Sequence, residues 1–503
     1  MKKLSIPDLK SDIFNKIDEY LLKKKFKKSN IIRKSNLKDL IFNIISILSK
    51  NPLTDYSEII KKLEITLEEL KELNLIIQDI DYFQQLIINN GVGTKYWKNM
   101  IIPLINSKSI TNFLNKEYSY PFKVGIYPGI SCMYECSFCG RNYDARYKRD
   151  SLDKGIELYK ALIDEAPKDD KNRFYISGGL EPFTNPKLNQ IISHLKNNNF
   201  NSSMYTNGYM LTSKYLNKYP EIFDLDSLRI SFYGVDDEQY FNVTKKKNAF
   251  NIVTKNIEDY LRMKTEKSSK TSFGLNFVIL TSREKDLVDL IKLLSNINKK
   301  IDSDKKNNFD FLTLREDFSI YGDRMSIDQK KILANSILEF ENLIHNDDYL
   351  KNIFVDYGFT LEPLKNGILT EKFENIFASL EDLKDFGVPQ ASVAVDLYGD
   401  VYLYREAAFL DRPGAKRYII GNLIDEGSMQ NVMKNFINNP KNIDILESDR
   451  DYLDTWDHIT VRLSQQIKKN INLGISINEG AINMNTVNNF LDYKHQVHFS
   501  EKS

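Results

Sequence analysis

Two hydrophobic rhythms divide the chain. Up to about residue 118 apolar positions recur every three or four residues, as in "LKDLIFNIISILSK" (Leu37–Lys50) and "YSEIIKKLEITLEELKEL" (Tyr56–Leu73). That spacing gives a helix one apolar face. From Tyr120 short β-rich runs alternate with helical ones. The runs are "FKVGIY" (122–127), "RFYIS" (173–177), "SSMYT" (202–206), "SLRISF" (227–232), "FGLNFVIL" (273–280) and "FDFLTL" (309–314). Strands and helices in alternation predict parallel β/α units with right-handed crossovers. Six units are too few to close an eight-stranded barrel, so the expected fold class is α/β, with a partial (β/α)6 barrel. After about Leu350 the order is mixed. Strand-like "NIFVDYGF" precedes the pair "ASVAVDLYGDVYLYRE", with Gly399-Asp400 at its turn, and helical "MQNVMKNFI" and "TVRLSQQIKKNI" follow. The expected organisation is therefore a helical segment (1–118), the partial barrel (119–350) and an α+β cap (351–503).

Composition narrows the partners. A formal net charge of +1 removes any general electrostatic case for nucleic acid or an anionic membrane. No run of eighteen apolar residues occurs and the start lacks the apolar core of a signal peptide, so a soluble, cytoplasmic protein is expected. The basic patch Lys23–Lys28 lies among acidic residues and reads as a solvated helix face.

Only three cysteines exist, Cys132, Cys136 and Cys139, all in "GISCMYECSFCGRN" (129–142) directly after the first predicted strand. An odd, small count excludes a disulfide framework. Structural zinc normally needs four protein ligands, and none of the five histidines lies near the motif, which leaves zinc the weaker reading. Three thiolates on one loop suit a cubic iron–sulfur cluster with one iron left open to a chelating ligand. Chemistry in β/α architectures sits at the C-terminal ends of strands. Polar, glycine-containing motifs follow the later strands in turn: "SGGLEP", "YTNG" and "RISFYG".

The pattern C-x3-C-x-(aromatic)-C resembles the radical S-adenosylmethionine (SAM) superfamily. The resemblance implies a radical SAM barrel, with one [4Fe-4S] cluster held by Cys132, Cys136 and Cys139 and SAM bound at its open iron. It implies that Phe138 lies beside the adenine, that Gly178 and Gly179 let the backbone approach closely, and that Glu181 accepts from the SAM ammonium. Leu180 stands between the glycines and the glutamate, where the superfamily's usual form has none. Thr206 and Asn207, then Ser231 and Asn276, complete the implied SAM contacts.

"FYISGGLEPFTNP" (174–186), "FLTLREDFS" (311–319), "DLYGDVYLYREAAF" (396–409), "RYIIGNL" (417–423) and "HITVRLSQQI" (458–467) together resemble the radical SAM dTDP-4-amino-4,6-dideoxyglucose deaminase family. These are ammonia-lyases of deoxysugar biosynthesis. The implied substrate is a nucleotide sugar, and the implied electron donor a flavodoxin or ferredoxin. A diphosphate asks for guanidinium donors, which Arg315 and Arg405 can supply, with Arg324 and Arg417 less specific. Glu316, Asp317 and Glu406 are the candidate proton-handling groups, Tyr233 and Tyr404 the candidate sugar or base contacts, and Arg141 is open between a carboxylate contact and a loop brace. In relatives with a similar cap the second strand often ends in cysteines for further clusters. Here Tyr404 and Arg405 stand in that place, so a single cluster is expected. Two other readings remain at this point: a radical SAM dehydrogenase of a sugar or aminocyclitol alcohol, and a non-enzymatic metal-binding protein.

Overall fold

Every β-rich run named above becomes a strand, and the ten strands among the described residues join one sheet. They are β1 (Lys123–Tyr127), β2 (Phe174–Ile176), β3 (Ser203–Thr206), β4 (Ser227–Phe232), β5 (Ser272–Ile279), β6 (Phe311–Glu316), β7 (Phe354–Asp356), β8 (Ser392–Asp396), β9 (Asp400–Tyr402) and β10 (Ile419–Asn422). The computed structural model describes residues 6–23, 35–50, 54–89, 101–139, 146–148, 150–301, 308–316, 325–357, 361, 364–365, 378–385, 387–408, 414–440, 443–446, 455–476 and 479–483. Two compact units interleave along the chain. One draws on Met1–Asn106, Lys372–Ala378 and His458–Tyr493, and the other on Ser107–Glu371, Ser379–Asp457 and Lys494–Ser503.

The first unit is helical. Its N-terminal helices are α1 (Ile6–Lys23), α2 (Leu37–Lys50), α3 (Tyr56–Leu63), α4 (Leu67–Gln78) and α5 (Asp81–Asn89). Their apolar faces meet in a core that includes Ile17, Ile41, Leu70, Leu73 and Phe83. Thr66 and Glu69 form a reciprocal capping box that starts α4, satisfying two orphan backbone donors. Buried amides join these helices to residues 479–483 of the same unit. Gln84 donates to the carbonyls of Ile77 and Ala481, both at 2.9 Å, and accepts from the Asn483 amide at 2.8 Å.

The second unit holds the sheet, in the order β10-β9-β8-β1-β2-β3-β4-β5-β6-β7. The β1–β6 row is parallel throughout, with each strand beside its sequence neighbour. Helices α6 (Ser151–Glu165), α7 (Leu188–Asn197), α8 (Asp237–Thr244), α9 (Ala249–Glu266) and α10 (Asp286–Ile301) lie in the crossovers. The parallel α/β architecture is the expected one, and it extends further than six units. β7 adds in parallel to β6, and β8 adds in parallel to the other edge of β1, from Lys123↔Ser392 to Tyr127↔Asp396. The strand pair expected in a cap is therefore part of the main sheet. The physical reason is that β1 would otherwise present an open row of backbone donors and acceptors, and β8, buried along its whole length, covers it.

Strand alternation separates two chemistries. Leu228, Ile230, Phe232, Leu275, Phe277, Leu312 and Leu314 join the helices in one apolar core. The alternate positions put Tyr205, Arg229, Ser231, Asn276, Thr313 and Arg315 on the opposite face, because successive side chains point to opposite sides of a strand.

Candidate active site

The cysteine loop is anchored by its backbone. The Glu135 and Ser137 amides donate to the carbonyls of Thr244 and Val243 at the end of α8, at 2.9 and 3.1 Å, and Cys139 N donates to Cys136 O at 3.0 Å. Cys136 is buried and Cys132 and Cys139 are half-buried. The side-chain amide of Asn207 donates toward Cys132 Sγ at 3.7 Å and Met133 Sδ at 3.1 Å. Tyr134, almost fully buried, packs edge-on against Tyr209 and Tyr233, and its hydroxyl has no hydrogen-bond partner among the described residues. Burial, with Tyr240 and the nearby thiol and carboxyl groups, raises its pKa.

Two glycines hold the next loop against this one. Gly178 has φ +138°, a region that only glycine adopts readily, and a Cβ there would sit 3.1 Å from the Tyr127 side chain. A Cβ on Gly129 would meet the Leu180 carbonyl carbon and oxygen at 2.7 Å. Glu181, only 3% exposed, is held by three protein donors. Its Oε1 accepts from Thr206 Oγ1 at 2.6 Å and the Phe183 amide at 3.1 Å, and its Oε2 accepts from the Asn207 amide at 2.8 Å. Burial raises its pKa, against the opposing pull of those three donors. The intervening Leu180 is buried, so the insertion after the glycines is absorbed as packing and the carboxylate still reaches the end of β3.

Ser231, Asn276 and Thr313 lie side by side across β4, β5 and β6. The side-chain oxygens of Asn276 and Thr313 are buried without a partner among the described residues, a cost that a bound polar ligand would remove. One strand-row lower, Arg229 stacks its guanidinium over Tyr205 and Phe311, at 5.0 and 4.9 Å from the ring centres. Burial lowers its pKa. Phe138 and Tyr233 pack together at 5.9 Å between the cysteine loop and β4. Thus Cys132, Cys136, Cys139, Phe138, Gly178, Gly179, Glu181, Asn207, Ser231, Tyr233 and Asn276 all fall on β1–β5 or the segments that directly follow β1–β4.

The other candidates separate. Arg405 places its guanidinium 5.2 Å from the Tyr175 ring centre, and its carbonyl accepts from Tyr127 Oη at 3.1 Å. Arg315 is exposed on the polar face of β6, whereas alternation puts buried Glu316 on the side of Leu312 and Leu314. Tyr404 is 2% exposed and donates its hydroxyl to the Leu383 carbonyl. β9 ends at Tyr402 and the backbone then turns into a short 3-10 helix, Arg405–Ala407. Glu406 lies in that turn, with a side chain outside the described residues. Arg417 lies over the Tyr418 ring. Asp317, Arg324 and Arg141 lie outside the described residues.

One acidic centre escaped the sequence reading. Asp396, 1% exposed at the C-terminal end of β8, accepts at Oδ2 from the hydroxyls of Tyr147 (3.0 Å) and Tyr402 (3.3 Å). Its Oδ1 accepts from the amides of Tyr398 (2.9 Å) and Asp400 (3.1 Å). Burial, then the charge of Asp400, pushes its pKa up to about 7, against the pull of those donors. The available signal was an acid closing a β-run; the missing one was that β8 lies beside β1.

The residues suit a cluster and SAM on structural grounds. The chain offers three thiols on one anchored loop, glycines where a Cβ would collide, and buried polar atoms awaiting partners. The sequence comparisons with known proteins agree. The Radical SAM superfamily model matches residues 126–302. A dTDP-4-amino-4,6-dideoxy-D-glucose ammonia-lyase from Streptomyces venezuelae is 33% identical over 380 residues, which is 75% of this chain and 77% of the relative. A tungsten-containing aldehyde ferredoxin oxidoreductase cofactor-modifying protein from Pyrococcus furiosus is 25% identical over 232 residues, 44% of this chain and 59% of that one. Among solved structures, Streptococcus suis SuiB bound to precursor peptide SuiA aligns with a TM-score of 0.44 at 12% identity, covering 75% of this chain and 83% of SuiB. Among the described residues no helix is long and apolar enough to cross a membrane. With a third of its residues shared across three-quarters of its length, the chain belongs to the radical SAM superfamily as a homologue of the Streptomyces ammonia-lyase, an enzyme whose cofactors are a [4Fe-4S] cluster and SAM.

Proposed function

We propose that this enzyme is a carbon–nitrogen lyase acting on a nucleotide-linked 4-amino-4,6-dideoxyhexose, releasing ammonia and leaving the 3-keto-4,6-dideoxy sugar. The observation that carries this reading is the 33% identity to the ammonia-lyase over 380 residues, far beyond the stretch matched by the superfamily model. When bound, the cluster and SAM would supply the radical chemistry needed at the sugar carbon bearing the hydroxyl next to the amine.

The chain's own residues then have four tasks. Cys132, Cys136 and Cys139 hold the cluster, with Asn207 donating toward the first sulfur, a contact of the kind that tunes such sites. The Gly178-Gly179 turn, Glu181, Ser231 and Asn276 orient SAM, with Phe138 beside its adenine. Arg405 and Arg315 are the cations offered to the diphosphate, and Tyr175, with Arg405 stacked on it, offers an aromatic wall. The aromatic cluster of Tyr134, Tyr209, Tyr233 and Tyr240 excludes water from the cysteine loop. A soluble flavodoxin- or ferredoxin-type donor in the cytoplasm supplies the electrons.

The test is to incubate the anaerobically reconstituted enzyme with SAM, a reductant and dTDP-4-amino-4,6-dideoxyglucose, and to follow 5′-deoxyadenosine and ammonia together. Both are expected, each dependent on the sugar. Deoxyadenosine without ammonia would replace the lyase by an alcohol dehydrogenase, which leaves the amine in place. Neither product from cluster-loaded enzyme would overturn the substrate assignment.

A further inference from the structure

We infer that Tyr147 and Asp396 form the proton-accepting pair of the active site: Tyr147 takes the proton from the substrate hydroxyl and passes its own to Asp396. This rests on the lyase reading above, in which a hydroxyl next to the breaking C–N bond must lose its proton.

The geometry begins with a small, open recess between the loops that follow β1 and β2, lined by Tyr127, Gly129, Tyr147, Gly178, Leu180 and Ala408. It is therefore bounded by the glycine turn assigned to SAM and by the start of the segment after β9. Tyr147 is half-buried in this wall, with its amide tied to Ile130 O at 3.2 Å and its ring against Tyr398 at 4.8 Å. Its hydroxyl donates to Asp396 Oδ2. The phenol thus has a lining position on the recess and a carboxylate behind it. That is the arrangement needed for a group that accepts one proton while giving up another.

Asp396 meets the second requirement. Both of its oxygens are held by named donors, so it is fixed in place, and the ionisable groups acting on it come from every side. Tyr147 approaches from the loop after β1, Tyr159 from α6, and Asp400 and Tyr402 from β9. Burial and the adjacent Asp400 keep the carboxyl on the edge of ionisation near neutral pH, where a proton acceptor works best. A purely structural turn aspartate needs only the Oδ1 contacts to the Tyr398 and Asp400 amides. The two phenols on Oδ2 are extra, and one of them belongs to Tyr147, a residue that lines the recess.

The proton balance is closed. The substrate O–H breaks as an O–H forms on Tyr147 Oη, and the Tyr147 proton moves to Asp396 Oδ2; no electron is exchanged. Tyr147 touches the substrate and is the catalytic residue, and Asp396 acts through it as a positioning residue and proton store.

The test uses the cluster-loaded full chain and its Tyr147→Phe, Asp396→Asn and Tyr402→Phe variants. Wild-type ammonia release is expected to fall as pH drops below about 7. Tyr147→Phe should lose ammonia release about 100-fold while SAM binding and sugar-dependent 5′-deoxyadenosine persist, and Asp396→Asn should lose the low-pH limb altogether. Tyr402→Phe removes one donor from the carboxylate and should move that limb to higher pH. Independently of turnover, infrared difference titration of wild type against Asp396→Asn should show a carboxyl titrating near neutrality that shifts in Tyr147→Phe. Unchanged ammonia yield and pH profile in Tyr147→Phe and Asp396→Asn would overturn the pair, as would a carboxyl that titrates in the ordinary range. If wild type itself releases no ammonia, the lyase reading fails instead, and the infrared titration still decides whether the buried pair exists.

Discussion

At Glu181 one buried carboxylate receives three protein donors from two segments: Phe183 from its own loop, and Thr206 and Asn207 from the end of β3. A carboxylate has room for about four, which leaves one position for a ligand's ammonium group. Glu181→Gln would turn acceptor into donor against the Asn207 amide and the Thr206 hydroxyl. Hydrogen bonds to a charged group contribute about 1.5–3 kcal/mol each, so this substitution is expected to cost about 2 kcal/mol in a thermal or urea melt and to weaken SAM binding tenfold or more by calorimetric titration. An unchanged melt with weakened SAM binding would assign the residue to the ligand alone. Its position at a strand end was legible in the sequence because its glycine turn follows a recognisable β-run. The hydrogen bond of Tyr404 was not legible, because its partner, the Leu383 carbonyl, is 21 positions earlier, in a segment with no motif.

Among the elements, the strands of the barrel were legible almost to the residue, since alternating β and helical runs leave few other architectures. What the pattern could not give was pairing across long sequence distances. Local periodicity assigned "ASVAVD" and "DVYLY" to a cap, whereas the edge of β1 draws the first of them into the main sheet. Nor did it show that helical residues from His458 onward belong with the N-terminal helices; that choice is made by apolar surface and by buried amides such as Gln84. The contact between the first two loops is likewise invisible in sequence. At Gly129 it leaves no space for a methyl group beside the Leu180 backbone. Gly129→Ala is therefore expected to push the cysteine loop away from the glycine turn and to lower the iron and sulfide bound per chain on reconstitution by more than half, with little change in helix content by circular dichroism. Full cluster loading would show that the two loops move independently.

For the whole molecule, the buried carboxyl of Asp396 sets a pH dependence of stability. Its pKa is near 7 in the folded chain and near the ordinary 3.8 when unfolded. Between those values the folded state holds a proton that the unfolded state has released, so stability declines as pH rises through that window. The full effect is on the order of 4 kcal/mol, at 1.36 kcal/mol per unit. Urea midpoints are expected to be lower at pH 8 than at pH 5.5, and the difference to shrink in Asp396→Asn. An equal slope in wild type and variant would assign it to other groups.

The pairing of β8 with β1 also has a consequence in time. The two strands are about 270 residues apart in the chain, and a ribosome adding about 5–20 residues per second needs tens of seconds to cover that distance. Throughout that interval the strand that delivers the cysteine loop has been made and the strand that shields its edge has not. The nascent chain is therefore most exposed to misassociation before β8 emerges, and its dependence on chaperones should be greatest while the cysteines already lie outside the exit tunnel.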